Sequence, residues 1–540
     1  MTLTPRQQLH RTLVKAGYRQ DRKTTNALRY TGTISAGRFN VSVAWIFNDL
    51  EFTKFPTLEI LSEEEWLANV VAHRSRDDFC YAQPGSQVLD QYEVPRTVLM
   101  CINRAKTALY DVLHRKDHAA EIAAEFSQHW LADYWIQADL RNKAAGEAWV
   151  DKLNFGYCLR DFKIAGQEPQ LWSKAWLERS ENPLTFNRGI AAPENLREFL
   201  DWADTVKAGL SDKFIKSLVK GFPKSIPALF VQGPNATVGV TLDVPRVFEQ
   251  AVQRATNFER LIRTRGRTMN VVRYATDKAD PDFLYSRNLG ANPFANKKIA
   301  LLGCGTIGSH LAKFLAQSGA GSGYGILNLV DNQTLTTANL GRHYLGPEAL
   351  NRNKAEALRD ILIRYPGLKV RAEAARIEDV LQHLMGYDLI VDATGDEGLA
   401  ISINKHFVER RYSHVNAPSV LHVWLDGRGE AAQALMVAAK GDACFKCLRP
   451  DLQHPSFFSP LKKGYVPDRV AATCGDGAYM PYGVGASATA AGLAFTMITD
   501  FLTGNGRPYL RTVLLSAEHT KQVKDQNPER RTQCPACAKF

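Results

Sequence analysis

Apolar residues recur at two different spacings along this chain, and the change of spacing divides it. Pro5 to Ala16 carries them at helical intervals, whereas Leu28 to Ile34 and Phe39 to Ile46 alternate apolar with polar positions, as half-buried strands do. After Pro95 the helical period returns over Thr97 to Leu113, with Val98, Ile102, Ala105 and Leu109 on one face. The first segment therefore reads helix, antiparallel strands, loop, helices, an α+β order. From about Glu147 to Asp280 the pattern weakens into short pieces, among them Pro227 to Val231 and Val238 to Val244 around a Gly-Pro-Asn turn. No chemistry attaches to this stretch. From Lys297 onward apolar strands alternate with amphipathic helices: Ile299 to Gly303, Ile307 to Gly319, Gly325 to Asp331, Lys354 to Tyr365, Asp388 to Asp392. That alternation predicts an α/β unit with a parallel, doubly wound, Rossmann-like sheet.

A length of 540 residues calls for several cores. The pattern places the divisions at 1–142, 143–278 (a mixed linker domain) and 279–540. Net charge is +11, but the basic residues are scattered rather than gathered in stripes, so direct nucleic-acid binding is not expected. The start, MTLTPRQQLH, lacks the apolar core of an export signal, and a cytoplasmic location is expected. Gly477 to Thr499 is uncharged and long enough to cross a bilayer, yet its Gly, Ala, Ser and Thr content suits close packing inside a protein or dimer better than a membrane.

The strand from Ile299 runs into Gly303-Cys-Gly305-Thr-Ile-Gly308, a G-x-G-x-x-G loop opening a helix. Such a loop brings backbone N–H groups and a helix N-terminus close to phosphate. Asp331, at the end of the second strand, fits a ribose-holding acid. A nicotinamide dehydrogenase satisfies both features. Asn339-Leu-Gly-Arg342, Lys354 and the run Asp388 to Asp396 add two cations and a further carboxylate, which hydride transfer does not need. Adenylation needs cations for a triphosphate and a carboxylate for magnesium. Individually each has a plainer reading: Lys354 as a solvated helix residue, Asp392 as a helix cap.

Together these residues resemble the ubiquitin-activating enzymes and their bacterial relatives MoeB and ThiF, over about Asp282 to Phe540. The resemblance implies ATP as cofactor, with Asp331 on the ribose, Asn339 and Arg342 as the N-x-x-R pair, Lys354 as the helical lysine and Asp396 as the magnesium ligand. Tyr285-Ser-Arg287-Asn288 resembles the family's R-Y-x-R-Q segment, whose arginine reaches into a partner subunit; Arg287 and a homodimer are thereby implied. Two positions depart from the family: Glu397 stands for its asparagine, and His343 for its glutamine.

Of the nine cysteines, Cys444, Cys447, Cys534 and Cys537 form two C-x-x-C pairs, the complement of a tetrahedral structural zinc; two redox pairs fit the same spacing. Cys474, in Ala472-Thr-Cys-Gly-Asp476, stands before the Gly-rich helix that resembles the segment after the family's crossover loop, which implies a thioester carrier; an inert buried thiol fits equally. In the first segment, Phe52-Thr-Lys-Phe-Pro56 and His73 followed by Phe79-Cys80-Tyr81 resemble a ubiquitin-conjugating domain over 1–142, with Cys80 as a second carrier and no H-P-N asparagine. A core cysteine is the alternative at position 80, as expected for Cys101.

In this order the parts resemble the bacterial antiphage ubiquitin-transferase-like enzymes of CBASS operons. That resemblance implies adenylation of a protein C-terminus, that of a cGAS-like nucleotidyltransferase or a ubiquitin-like protein, then relay from Cys474 to Cys80 and to an acceptor amine. A sulfur-carrier activator, a nicotinamide oxidoreductase and a binding module with inert cysteines remain open from sequence.

Overall fold

Thr4 starts the first helix, Pro5–Lys15. Its hydroxyl accepts the Gln7 N–H at 3.3 Å while the Gln7 side chain accepts the Thr4 N–H at 2.9 Å, a reciprocal cap for donors the helix end leaves open. Leu9 and Leu13, one turn apart, turn inward. The computed structural model describes the whole chain apart from residues 1–2, 22–26, 62–73, 76–77, 84, 115–122, 154–155, 164–170, 187–191, 223–225, 244–254, 414–416, 453–455, 472–477 and 539–540. It divides into two units, Met1–Lys278 and Ala279–Phe540.

In the first unit, Pro5–Lys15 packs with the long helix Val94–His114 against an antiparallel sheet ordered Arg19–Asp21, Leu28–Ala36, Phe39–Phe47, Thr57–Ile60, Asp78–Phe79, Arg74–Ser75. Cys101, rather than Ile102, shares the buried face with Val98, Ala105 and Leu109. The weakly patterned stretch is a closed barrel of seven strands: Leu171–Arg179, Ala228–Gln232, Thr237–Leu242, Val271–Lys278, Tyr134–Asp139, Gly156–Arg160 and Gly146–Leu153, the last pairing back to the first. Its strand Tyr134–Asp139 precedes the expected division at 142, and Phe126 and Trp130 already belong to the core beside it. The passage between cores thus falls earlier than the sequence pattern places it. Apolar periodicity cannot reveal it, because barrel closure pairs strands far apart in the chain.

The second unit holds a seven-stranded sheet ordered Val370–Glu373, Ile326–Val330, Lys298–Leu302, Leu389–Asp392, Ser419–Asp426, Ala431–Val437, Leu510–Leu514. The first five run parallel and the last two join antiparallel. The unit is Rossmann-like. Its strand order reverses between Lys298–Leu302 and Leu389–Asp392, the crevice where such sheets bind ligands. The apolar helix Val484–Leu502 is long enough to cross a membrane, but Ala490, Ala491, Ala494, Met497 and Ile498 are buried in the core of this sheet. Phe495 stacks on Phe294 at 5.7 Å. Its small residues let it lie close against the helix Thr306–Gln317.

Candidate nucleotide and acyl site

The glycine loop leaves the strand Lys298–Leu302 at Gly303, whose φ of 86° favours glycine. A Cβ on Gly303 would stand 2.9 Å from Thr394 Cα, and one on Gly308 would stand 1.9 Å from the Gly303 carbonyl oxygen. These two glycines let loop, helix and the 394–396 turn close on one another. Gly305 differs, because a Cβ there would meet nothing within 4 Å. The space beside it is open.

Asp331 joins this loop to the next strand. Its Oδ2 accepts the Cys304 N–H at 2.8 Å and its Oδ1 the Gln333 N–H at 2.7 Å. Each oxygen keeps a lone pair for a further donor such as a ribose hydroxyl. Lys354 is 4% exposed, not a solvated helix residue, and its Nζ donates to Gln333 Oε1 at 2.8 Å. Burial pulls its pKa down while the Asp331 carboxylate opposes that shift.

Asn339 is spent locally: its Oδ1 accepts from Thr336 N–H at 3.1 Å, and its carbonyl accepts the N–H of Arg342 and of His343. That turn holds the Arg342 guanidinium 4.8 Å over the ring of Tyr482, whose hydroxyl lies 2.9 Å from Thr306 Oγ1. His343 is buried, donates from Nε2 to the Cys304 carbonyl at 2.8 Å and accepts the Leu345 N–H on Nδ1 at 3.1 Å. Desolvation pushes its pKa down to about 4. Neutral His343 is therefore a donor and acceptor in a fixed tautomer, as a glutamine would be.

At the far side of the crevice Asp392 proves not to be a helix cap. Its Oδ2 pairs with His422 Nδ1 at 2.8 Å, with both side chains buried, and its Oδ1 accepts from Thr394. The cap is Asp396, whose Oδ1 accepts the Leu399 N–H at 2.9 Å at the start of the helix Glu397–Ser413. Asp396 is exposed, leaving an oxygen for a cation. Glu397 pairs with Arg449 at 2.7 Å. The sequence reading missed Arg449, His422 and Tyr482; only Arg449, two residues past Cys447, stands beside a motif.

The four cysteine sulfurs lie within 4.8 Å of one another, all buried. Neighbouring Sγ atoms are 3.5 to 3.9 Å apart, and thiolates at ~2.3 Å around a tetrahedral ion stand about 3.8 Å apart. The cluster could bind zinc. Asn404 Nδ2 donates to Cys444 Sγ at 3.6 Å and its Oδ1 accepts the Phe445 N–H, supports that fix a ligand set. The site staples the chain's end to the short helix Phe445–Leu448, which carries Arg449 beside Asp396.

Arg287 is exposed, its guanidinium 5.8 Å over Phe283, while Tyr285 is buried and donates to the Pro366 carbonyl. Cys80 follows the strand Asp78–Phe79, between buried Phe79 and Tyr81. Tyr81 donates to the Pro56 carbonyl at 2.8 Å, so Cys80 faces outward and is exposed, not core. Partial shielding, then the Glu125 carboxylate, push its thiol up. Cys101 is buried and desolvation raises it to about 11. Cys474 and His73 lie outside the described residues.

A doubly wound sheet with an open glycine loop, a buried lysine beside Asp331 and a four-cysteine cluster makes this unit Rossmann-like with a candidate nucleotide site. Residues 287–536 match the ThiF family, and the C-terminal unit is a ThiF-family, MoeB-like adenylyltransferase domain. Over 509 residues, 91% of this chain and 90% of the relative, the sequence is 28% identical to the ATP-dependent ubiquitin transferase-like protein Cap2 of Pseudomonas aeruginosa. It is 29% identical to the protein of that name from Vibrio cholerae, over 61% of this chain and 62% of that one. The structure of Escherichia coli MccB with ATP is 20% identical and aligns with 45% of this chain and 67% of its own, at a TM-score of 0.34.

Proposed function

We propose that this protein uses ATP and magnesium to adenylate the C-terminal carboxylate of another protein, and passes the acyl group through two cysteines to an amine. The carboxylate oxygen attacks the α-phosphorus and pyrophosphate leaves. The Cys474 thiolate then attacks the acyl carbon and AMP leaves; the Cys80 thiolate displaces Cys474, and an amine finally displaces Cys80. Asp331 holds the ribose, Arg342 and Lys354 hold the phosphates, Asp396 takes magnesium, and Arg287 completes the ATP site of a second copy in a homodimer. The cysteine cluster holds structural zinc.

The observation that carries this reading is Lys354, a buried cation one hydrogen bond from the Asp331 loop. A hydride-transfer site has no use for it, whereas a triphosphate does. For the relay, support comes from the order helix, antiparallel sheet, exposed cysteine, long helix in the first unit, and from the length shared with the transferase-like relatives. In this reading the activated protein is a cGAS-like nucleotidyltransferase and the setting is cytoplasmic. Sulfur-carrier activation leaves the exposed Cys80 without a task. Purification of the chain from cells carrying its neighbouring genes, with mass mapping of reductant-sensitive adducts, tests the reading. One protein attached through its C-terminus to Cys80, lost in Cys80→Ala and in Cys474→Ala, is expected; adducts persisting in both variants would contradict the relay.

A further inference from the structure

Beside Asp396 lies a cleft between the strand Ser419–Asp426 and the helix Phe445–Leu448, floored by Ala400, Trp424, Phe445 and Leu448. Two nitrogens on its walls, His422 Nε2 and Arg449 Nε, are buried without a hydrogen-bond partner among the described residues. His422 is 1% exposed. Buried orphan nitrogens are costly, and natural structures keep few of them. Both face the same small volume, but they differ in kind: His422 Nδ1 gives its hydrogen to Asp392, which leaves Nε2 an acceptor, whereas Arg449 Nε–H is a donor that an anionic occupant would satisfy.

Charge in the cleft is poised for such an exchange. Among the described residues the Arg449 guanidinium is held at ion-pair distance by Glu397 alone, at 2.7 Å, and the Glu397 side chain is 52% exposed. Asp426 also interacts with Arg449, and burial pushes its carboxyl up to about 7. A half-exposed glutamate contributes little to a salt bridge, whereas a carboxylate entering a dry cleft contributes more.

Resting on the adenylation reading above, we propose that Arg449 is the residue that reads the substrate's C-terminal carboxylate. The carboxylate displaces Glu397 from the guanidinium and takes the orphaned Arg449 Nε–H at the end of the cleft nearest Asp396, with the tail's apolar side chains against Trp424 and Phe445. The zinc cluster then has a task in recognition as well as folding, because it fixes the helix from which Arg449 projects.

The probe is a pool of synthetic decapeptides with free C-terminal carboxylates, assayed by ATP–pyrophosphate exchange on the full chain beside the same pool as C-terminal amides. Arg449→Ala should raise the KM for the free-acid pool at least tenfold with the KM for ATP unchanged, and Arg449→Lys should restore part of it. Glu397→Gln, which removes the competing carboxylate, should lower the KM for the pool severalfold. Metal content of one zinc per chain in each variant shows that the fold has survived. A rise in the KM for ATP instead would assign Arg449 to the triphosphate and overturn the proposal, as would an unchanged KM for the pool. Exchange absent from the wild type with every peptide would contradict adenylation itself, a separate failure.

Discussion

His343 donates from Nε2 to the carbonyl oxygen of Cys304 at 2.8 Å, so the residue next to Arg342 braces the glycine loop from behind. Burial holds this imidazole neutral, with a pKa of about 4 against an ordinary 6.5. The sign follows directly. Above pH 6.5 both folded and unfolded forms are neutral; below it the unfolded chain takes up a proton that the folded one refuses, so stability falls between pH 6.5 and about 4. The loss should approach ~3 kcal/mol at the lower end. His343→Gln should keep the loop bond and remove this part of the acid sensitivity; denaturant unfolding of both proteins between pH 7 and 4.5 measures it. Parallel pH curves would contradict it.

Two of the loop glycines, Gly305 and Gly308, should separate folding from binding. Gly308→Ala places a methyl 1.9 Å from the Gly303 carbonyl oxygen and must displace loop or helix. It should lower the melting temperature by several degrees and abolish ATP binding. Gly305→Ala meets no protein atom within 4 Å. It should melt within about 0.5 kcal/mol of the wild type while ATP affinity, read by calorimetry, falls more than tenfold.

Lys354→Met fills the same buried volume without charge. ATP affinity should fall by two or more orders of magnitude with the melting temperature preserved or raised, since burial already disfavours the ammonium. Calorimetric titration with ATP and with NADH on wild type and variant distinguishes this from a merely structural lysine, which would leave ATP affinity unchanged.

Cys80 should behave as a thiol raised above its ordinary range by partial shielding and by Glu125. Its alkylation by iodoacetamide should climb with pH through 9 without levelling off, because the thiolate is the reacting form. Glu125→Gln should speed alkylation severalfold at pH 7.5. A plateau below pH 8 would show a thiol activated by some other group.

Some of this architecture was legible in the sequence for a physical reason. The strand and helix of the glycine loop are set by local periodicity, and Cys444, Cys447, Cys534 and Cys537 announce themselves by pair spacing although 90 residues separate the pairs. What stayed hidden depends on long-range packing. The barrel closes only because Tyr134–Asp139 pairs with Val271–Lys278, far along the chain, and no local pattern encodes closure. Asp392 pairs with His422 across two adjacent strands, so its carboxylate is already occupied and the capping falls to Asp396. Arg449 reaches Glu397 only because the cysteine cluster folds the chain back on itself.

The most direct measurement is ATP–pyrophosphate exchange by the full chain with peptides presenting a free C-terminal carboxylate. Exchange that requires the free carboxylate, fails with C-terminal amides and disappears in Gly305→Ala is the predicted result. Tight NADH binding, with no ATP binding and no exchange with any peptide, would contradict the account.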